Sequence, residues 1–294
     1  MVLSGFIIRT GLSVKIGQCL QPVLGILFRL PSQMLYVIFM GFLCGFPMGA
    51  KIVTDMLEKE QITEKEGEYL LAFCNNIGPL YMLGYVIPLF KYENILIILS
   101  LMYLVPLGYG LVLRFFSSKI NLKKDYFSTI SICSYNTKNN TKSPNYLACF
   151  QQSLSSAIEQ ITVLGGCMVF FNCMLIFPQI LGKVLSNTAF SSVSPLLGAI
   201  ISSLIEIGGG LQQLASVSIL TDTPSDLLYF TSSFVFPNSK EICTYLPLAL
   251  LTFGGFSCIA QTCFILKNTG LKISTYIKHK LIQACIFIVF IFFL

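Results

Sequence analysis

The sequence predicts an all-α, polytopic membrane fold with broken or re-entrant helices, and three observations lead there. Only 11% of the 294 residues are charged while 54% are apolar, with a mean hydropathy of +0.77. A water-soluble domain carries about 25% charged residues to wet its surface, so most of this surface faces something other than water. Apolar stretches close to the roughly 20 residues that cross a bilayer recur along the chain. Several are interrupted at mid-length by Gly, Pro or Asn. The composition excludes an ordinary soluble enzyme, a disordered tail and a nucleic-acid-binding module. The formal charge of +6 reads as topology, because basic residues collect in cytoplasmic loops.

Residues 1–32 form an amphipathic N-terminal segment in which Arg9, Lys15 and Arg29 punctuate apolar sequence, and it suits an interfacial helix or a weak span. No basic residue precedes its first apolar run, so it is a poor signal peptide. Residues 33–116 are a first half. There, 33–50 is broken by Gly41, Gly45, Pro47 and Gly49; 54–68 is charged; 69–90 is broken by Asn75, Asn76, Gly78 and Pro79; and 94–115 is a cleaner span. Residues 117–146 are a basic, polar loop placed in the cytoplasm. Residues 147–294 are a second half: an amphipathic 147–160, a span at 161–182, and 193–213 with Glu206 beside Gly208, Gly209 and Gly210. It continues with a polar connector at 214–244, then 245–266 with Gly254 and Gly255, a basic interval, and an apolar tail at 281–294. That tail is short for a span. It starts further back with Lys278 and Lys280 snorkelling, or it reaches partway.

The breaks repeat. Superimposing one half on the other pairs Gly45 with Glu206, Pro47 with Gly208 and Gly49 with Gly210; a second register pairs Gly78 with Gly254 and Pro79 with Gly255. Gly/Pro-interrupted apolar segments at matching positions of two halves point to a transporter-like binding site. Broken helices free N–H and C=O groups at membrane depth, which only protein or water can satisfy. If 33–50 and 193–213 return to their own side, the basic residues from 51–65, 114–142 and 267–280 fall inside, and Lys91, Lys183 and Lys240 outside. The two hairpins then enter from opposite faces as an inverted repeat.

The candidate binding residues are those at the breaks: Gly45, Pro47, Gly49, Asn75, Asn76, Glu206, Gly208, Gly209, Gly210, Gly254, Gly255 and Gln261. Glu206 lies in an apolar run, where an ionisable group is costly unless paired or wetted. It either faces a polar cavity, where it binds a proton, cation or substrate donor, or sits at a hairpin tip in water, or is a neutral acid hydrogen-bonded to a neighbouring helix. The glycines either admit close backbone approach or pack helices. Asn75 and Asn76 either bind a polar ligand or satisfy the backbone freed around Pro79. Gln212 and Gln261 are similar lone amides. Lys51, just after GFPMGA, either pairs with an anionic ligand or Glu206, or anchors at the interface.

Motifs of soluble chemistry are missing. There is no phosphate-binding loop, no G-x-S-x-G and no H-E-x-x-H, and His279 is the single histidine. The eleven cysteines contain no C-x-x-C pair and read as buried, reduced residues. No enzyme activity, metal or cofactor is expected. The expected partners are membrane lipid, a small polar solute with a coupling ion, and other membrane or envelope proteins, with no nucleic acid.

The block GFPMGAKIVTDMLEKEQITEKEGEYLLAFCNNIGPLYMLGYV (45–86) resembles the first block of the YlbJ-like sporulation integral membrane proteins. A second block resembles that family's E-x-x-x-G and F-G-G-x-S-x-x-x-Q: here Glu206 to Gly210, then Phe253, Gly254, Gly255, Ser257 and Gln261. The resemblance runs from about residue 15 to residue 270. It implies a nucleoside-recognition, or gate, domain shared with nucleoside transporters, spore maturation proteins and the membrane part of the ferrous-iron transporter, and so two inverted gate-like halves. It also implies a multi-pass protein of the inner (cytoplasmic) membrane that acts in sporulation, with a role in spore cortex or envelope formation. The function expected from it is transporter- or permease-like, for an unnamed, nucleoside-like small polar substrate; the alternative is a non-transporting scaffold for envelope assembly. The family's second block carries a His where this chain has Ile259, so a proton relay does not carry over to that position. The family has further apolar sequence upstream, which suggests a short member or a truncated reading frame.

The inverted topology predicts that single cysteines introduced within 214–244 react with an impermeant thiol reagent added outside intact cells. Reaction only after permeabilisation would overturn it.

Overall fold

A computed structural model describes residues 1–92, 94–116, 146–185, 194–220, 239–267 and 269–293. Most of the basic loop 117–146 and the middle of the 214–244 connector therefore lie outside the described residues. Helices make up the ordered secondary structure, and no strand occurs among the described residues. Five helical stretches are long and apolar enough to cross a membrane: Glu64–Phe90, Ile95–Phe116, Tyr146–Val184, Tyr245–Leu266 and Ile273–Phe290. The protein is an all-α, polytopic membrane protein.

The chain begins with α1 (Val2–Arg9) and α2 (Leu12–Phe28), which meet at an angle of 96°. Gly11, at φ 75°, makes the corner, a conformation that costs glycine little. Helices α3 (Ser32–Cys44) and α4 (Met48–Glu58) follow, joined through Gly45, Phe46 and Pro47. Next come α5 (Glu64–Cys74), started by a Thr63–Glu66 capping box, and α6 (79–90), which contains a π-helical turn at Met82–Val86. Helix α7 is Ile95–Phe116. Helices α8 (Tyr146–Met174) and α9 (Ile176–Leu185) make one long rod. The amphipathic piece and the span that the sequence suggested are thus a single helical stretch. Helices α10 (Ser194–Ile205) and α11 (Ile207–Leu220) are separated by Glu206 alone. Helices α12 (Ser239–Phe253) and α13 (Gly255–Leu266) are separated by Gly254. Helix α14 is Ile273–Phe293, so the apolar tail starts well before residue 281. Lys278 is exposed as a snorkelling residue would be, but Lys280 is fully buried, with its ammonium 3.4 Å from Gln283 Oε1.

The limbs α3, α4, α10 and α11 are 13, 11, 12 and 14 residues long. At about 1.5 Å per residue none reaches the ~30 Å of a bilayer core. In each pair the second limb packs back on the first. Both pairs are helical hairpins.

The described residues fall into two compact units. Unit 1 comprises Met1–Gly78, Pro106–Val163 and Cys263–Tyr276; unit 2 comprises Pro79–Val105, Leu164–Thr262 and Ile277–Leu294. The hairpin α3–α4 belongs to unit 1 and the hairpin α10–α11 to unit 2. Each of the five long apolar stretches contributes one part to each unit.

Unit 1 is organised around aromatic packing. The Phe28 and Phe73 rings stack at 5.7 Å, and Tyr69 meets Phe73 edge-on at 5.1 Å. The Tyr69 hydroxyl donates to the Gly110 carbonyl at 3.0 Å, and a Cβ on Gly110 would lie 2.6 Å from the Phe73 ring. Unit 2 has an aliphatic centre of Leu211, Leu214, Leu248 and Leu251, with Phe287 from α14. Leu96, Phe115, Phe116 and Val169 are exposed, as side chains facing lipid tails are.

The α10–α11 hairpin closes on one glycine. A Cβ at Gly210 would sit 2.2 Å from both Ser203 N and Ser203 Cα. Gly210→Ala is expected to force the limbs apart and destabilise the protein by about 1–3 kcal/mol, the cost of overpacking. Gly108→Ala, with no atom within 4 Å of its Cβ, serves as the control and should be neutral or slightly stabilising. Thermal unfolding of the two variants in detergent checks both.

Candidate functional site

Each unit brings its hairpin break against the break of a spanning stretch. In unit 1 the partners are 44–49 and 74–78. Gly45 adopts φ 77°, and a Cβ there would lie 2.3 Å from Gly78 N, so two chain breaks touch backbone to backbone. Gly49 and Gly41 do the same against the end of α5: their Cβ atoms would stand 2.6 and 2.3 Å from the Cys74 carbonyl oxygen. Any side chain here would drive the two segments apart. Pro47, after a cis peptide bond from Phe46, opens α4.

The two amides sit in this junction with separate tasks. Asn75 is fully buried and donates from Nδ2 to the Tyr276 hydroxyl at 3.0 Å. Asn76 is 5% exposed and donates from Nδ2 to the Phe73 carbonyl, one of those left open where α5 ends. Asn76 therefore satisfies freed backbone, while Asn75 ties the break to α14.

In unit 2 the partners are 203–206 and 254–255. Gly254 and Gly255 adopt φ 86° and 73°, and a Cβ on Gly255 would lie 3.1 Å from Ser203 O and 3.2 Å from Leu204 O. The Glu206 carboxylate is 8% exposed and bends onto its own helix. Oε1 accepts from Gly208 N at 3.0 Å and Oε2 accepts from Gly209 N at 2.6 Å. These are first-turn N–H groups of α11 that lack helical partners, and the positive end of the helix dipole favours the anion there. The Tyr85 hydroxyl donates to the Gly208 carbonyl at 3.1 Å, and the Tyr81 and Tyr85 rings lie 5.0 Å apart. Gln261, 2% exposed, donates to Ser257 Oγ at 3.1 Å, whereas Gln212 is exposed.

The residues predicted from the sequence are thus divided. Gly45, Pro47, Gly49, Asn75 and Asn76 line the unit 1 junction. Glu206, Gly208, Gly209, Gly210, Gly254 and Gly255 line the unit 2 junction, and Gln261 lies on α13 two turns beyond. Lys51 differs from expectation. Its ammonium hydrogen-bonds Asp55 Oδ1 and lies 3.2 Å from Ser156 Oγ, so its acidic partner is Asp55 on its own helix and not Glu206. It is 4% exposed and is no interfacial anchor. Sequence reasoning passed over Asp55, although an i,i+4 Lys–Asp pair was legible. Tyr85 and Tyr276 carried no such signal, since their partners are 123 and 201 residues away. Among the described residues no group of three or more His, Cys, Asp or Glu side chains is placed to hold a metal ion.

The unit 1 junction holds buried amides and close backbone groups, and the unit 2 junction separately holds a carboxylate capped by its own helix beside a tyrosine pair. The chain is 27% identical over 311 aligned residues to the sporulation integral membrane protein YlbJ of Bacillus subtilis (strain 168), across 100% of this chain and 71% of that protein. The similarity to that protein thus covers the whole chain. No family model matches it, and no solved structure matches it. The 45–86 block, which carried the resemblance in the sequence, lies within this matched length and contains the unit 1 junction.

The capping role of Glu206 has a direct readout. Glu206→Ala should cost about 1 kcal/mol of local stability and speed amide hydrogen exchange across 207–211 roughly fivefold, with α3–α4 unaffected. Unchanged exchange at Gly208 and Gly209 would contradict the cap.

Proposed function

We propose that this protein acts in sporulation as a transporter- or permease-like component of the inner (cytoplasmic) membrane. One observation carries the reading: in each unit a hairpin break is packed against a broken span, with buried polar side chains at the junction. Discontinuous helices meeting inside an apolar bundle are the arrangement by which transporters present backbone and side-chain groups to a solute. The solute is small and polar, and nucleoside-like by the resemblance of the sequence. Movement follows an alternating-access scheme in which the two hairpins enter from opposite faces, and no covalent step is involved.

Charge distribution supports that topology. With both hairpins returning to their own side, the basic residues of 51–65, 114–142 and 267–280 fall on the cytoplasmic side, and Lys91, Lys183 and Lys240 on the other. Partner proteins of the spore envelope and its cortex fit the same reading, because YlbJ carries sporulation in its name.

Glu206→Gln and Asn76→Ala are expected to abolish spore formation while the protein still accumulates in membranes. Deleting 120–145 is expected to leave spore formation mostly intact. Normal sporulation in both point variants overturns the solute site, and failure of the deletion alone favours a scaffold that docks partners through its loop.

A further inference from the structure

Outside both junctions, unit 1 contains a buried charge pair that the solute site does not use. Lys51 and Asp55 share one face of α4, at 4% and 6% exposure. The Lys51 ammonium donates to Asp55 Oδ1 and to Ser156 Oγ on α8. The second carboxylate oxygen, Asp55 Oδ2, is buried and has no hydrogen-bond partner among the described residues. The same holds for the Thr54 hydroxyl beside it and the Tyr36 hydroxyl of α3, which lies within electrostatic range of Asp55.

A buried ionic group normally has its hydrogen-bonding capacity filled, because an open acceptor in an apolar setting is costly. Here one oxygen of a buried carboxylate is open while a compact ammonium, which also reaches Ser156 Oγ, occupies the other. Lys is a point charge on a flexible stem, so it can leave and return. Hard oxygen ligands of this kind accept an ammonium or a small alkali cation alike. A single carboxylate balances one positive charge, which selects a monovalent ion.

We propose that Asp55 forms a monovalent-cation site whose occupant in this state is the protein's own Lys51 ammonium. A small cation at Asp55 displaces Lys51 toward Ser156, and Lys51 returns when the cation leaves. The proposal rests on the transporter-like reading and identifies the class of its coupling ion. Its test reads stability rather than transport or sporulation, so its failure leaves that reading standing.

The test compares thermal unfolding of the full-length protein, Lys51→Ala, and Lys51→Ala combined with Asp55→Asn, in detergent at equal ionic strength. Sodium, potassium or methylammonium chloride is titrated against choline chloride, whose cation is too large for the site. Lys51→Ala is expected to gain about 5 °C, saturably, in at least one of the three small-cation salts over choline. The unaltered protein, where the cation must first displace Lys51, should show a smaller gain that needs more salt, and the double variant should show none. Lys51→Gln removes the charge but keeps part of the stem and an amide NH2 donor, and it decides the matter if Lys51→Ala does not accumulate. Equal stability in all four salts, or a gain that survives Asp55→Asn, overturns the proposal.

Discussion

Inside a bilayer every backbone N–H and C=O must find a partner within the protein, and the two junctions of this molecule follow from that constraint. A helix that stops at membrane depth leaves donors at one end and acceptors at the other. Glu206 answers the donors of α11 at Gly208 and Gly209, and Asn76 answers the Phe73 carbonyl at the end of α5. The glycines solve the steric half of the same problem. Gly45 against Gly78, Gly49 against Cys74 and Gly255 against Ser203 let peptide groups approach where any Cβ would intrude. Each polar residue at a break therefore has a structural task, and a ligand would meet groups already held in position.

The placement of charge obeys the same economy. Lys51 and Asp55 neutralise one another, so α4 can be buried without an isolated charge, which would cost several kcal/mol. Lys280 reaches full burial beside Gln283 instead of extending to the interface. Ionisable groups in membrane segments are kept where a partner or a function compensates them.

Much of the fold was legible in one dimension because membrane composition is such a strong constraint. The charge deficit identified the class, and the Gly, Pro and Asn interruptions located the breaks within a residue or two. The helices end at Cys44, Cys74, Ile205 and Phe253, each one residue before the interrupting Gly45, Asn75, Glu206 or Gly254. The junction residues were legible for the same reason, since a glycine or amide in the middle of an apolar run weakens the helix that contains it. Less legible was what each side chain does. The sequence left Glu206 among a polar cavity, a wet hairpin tip and a neighbouring helix, and left Lys51 among ligand, Glu206 and interface. Those choices depend on neighbours such as Ser156, 105 residues away.

By itself, then, the sequence determined that this chain lives in a membrane, that its helices are interrupted and where, because composition and periodicity act locally. Only the tertiary structure decided which break meets which. It also showed that the 39-residue rod Tyr146–Val184 is continuous, and that the carboxylate of Glu206 is held by its own helix. Such pairings are set by packing between segments far apart in the chain, where a contact of two or three ångströms turns on a missing Cβ and leaves no periodic trace along the sequence.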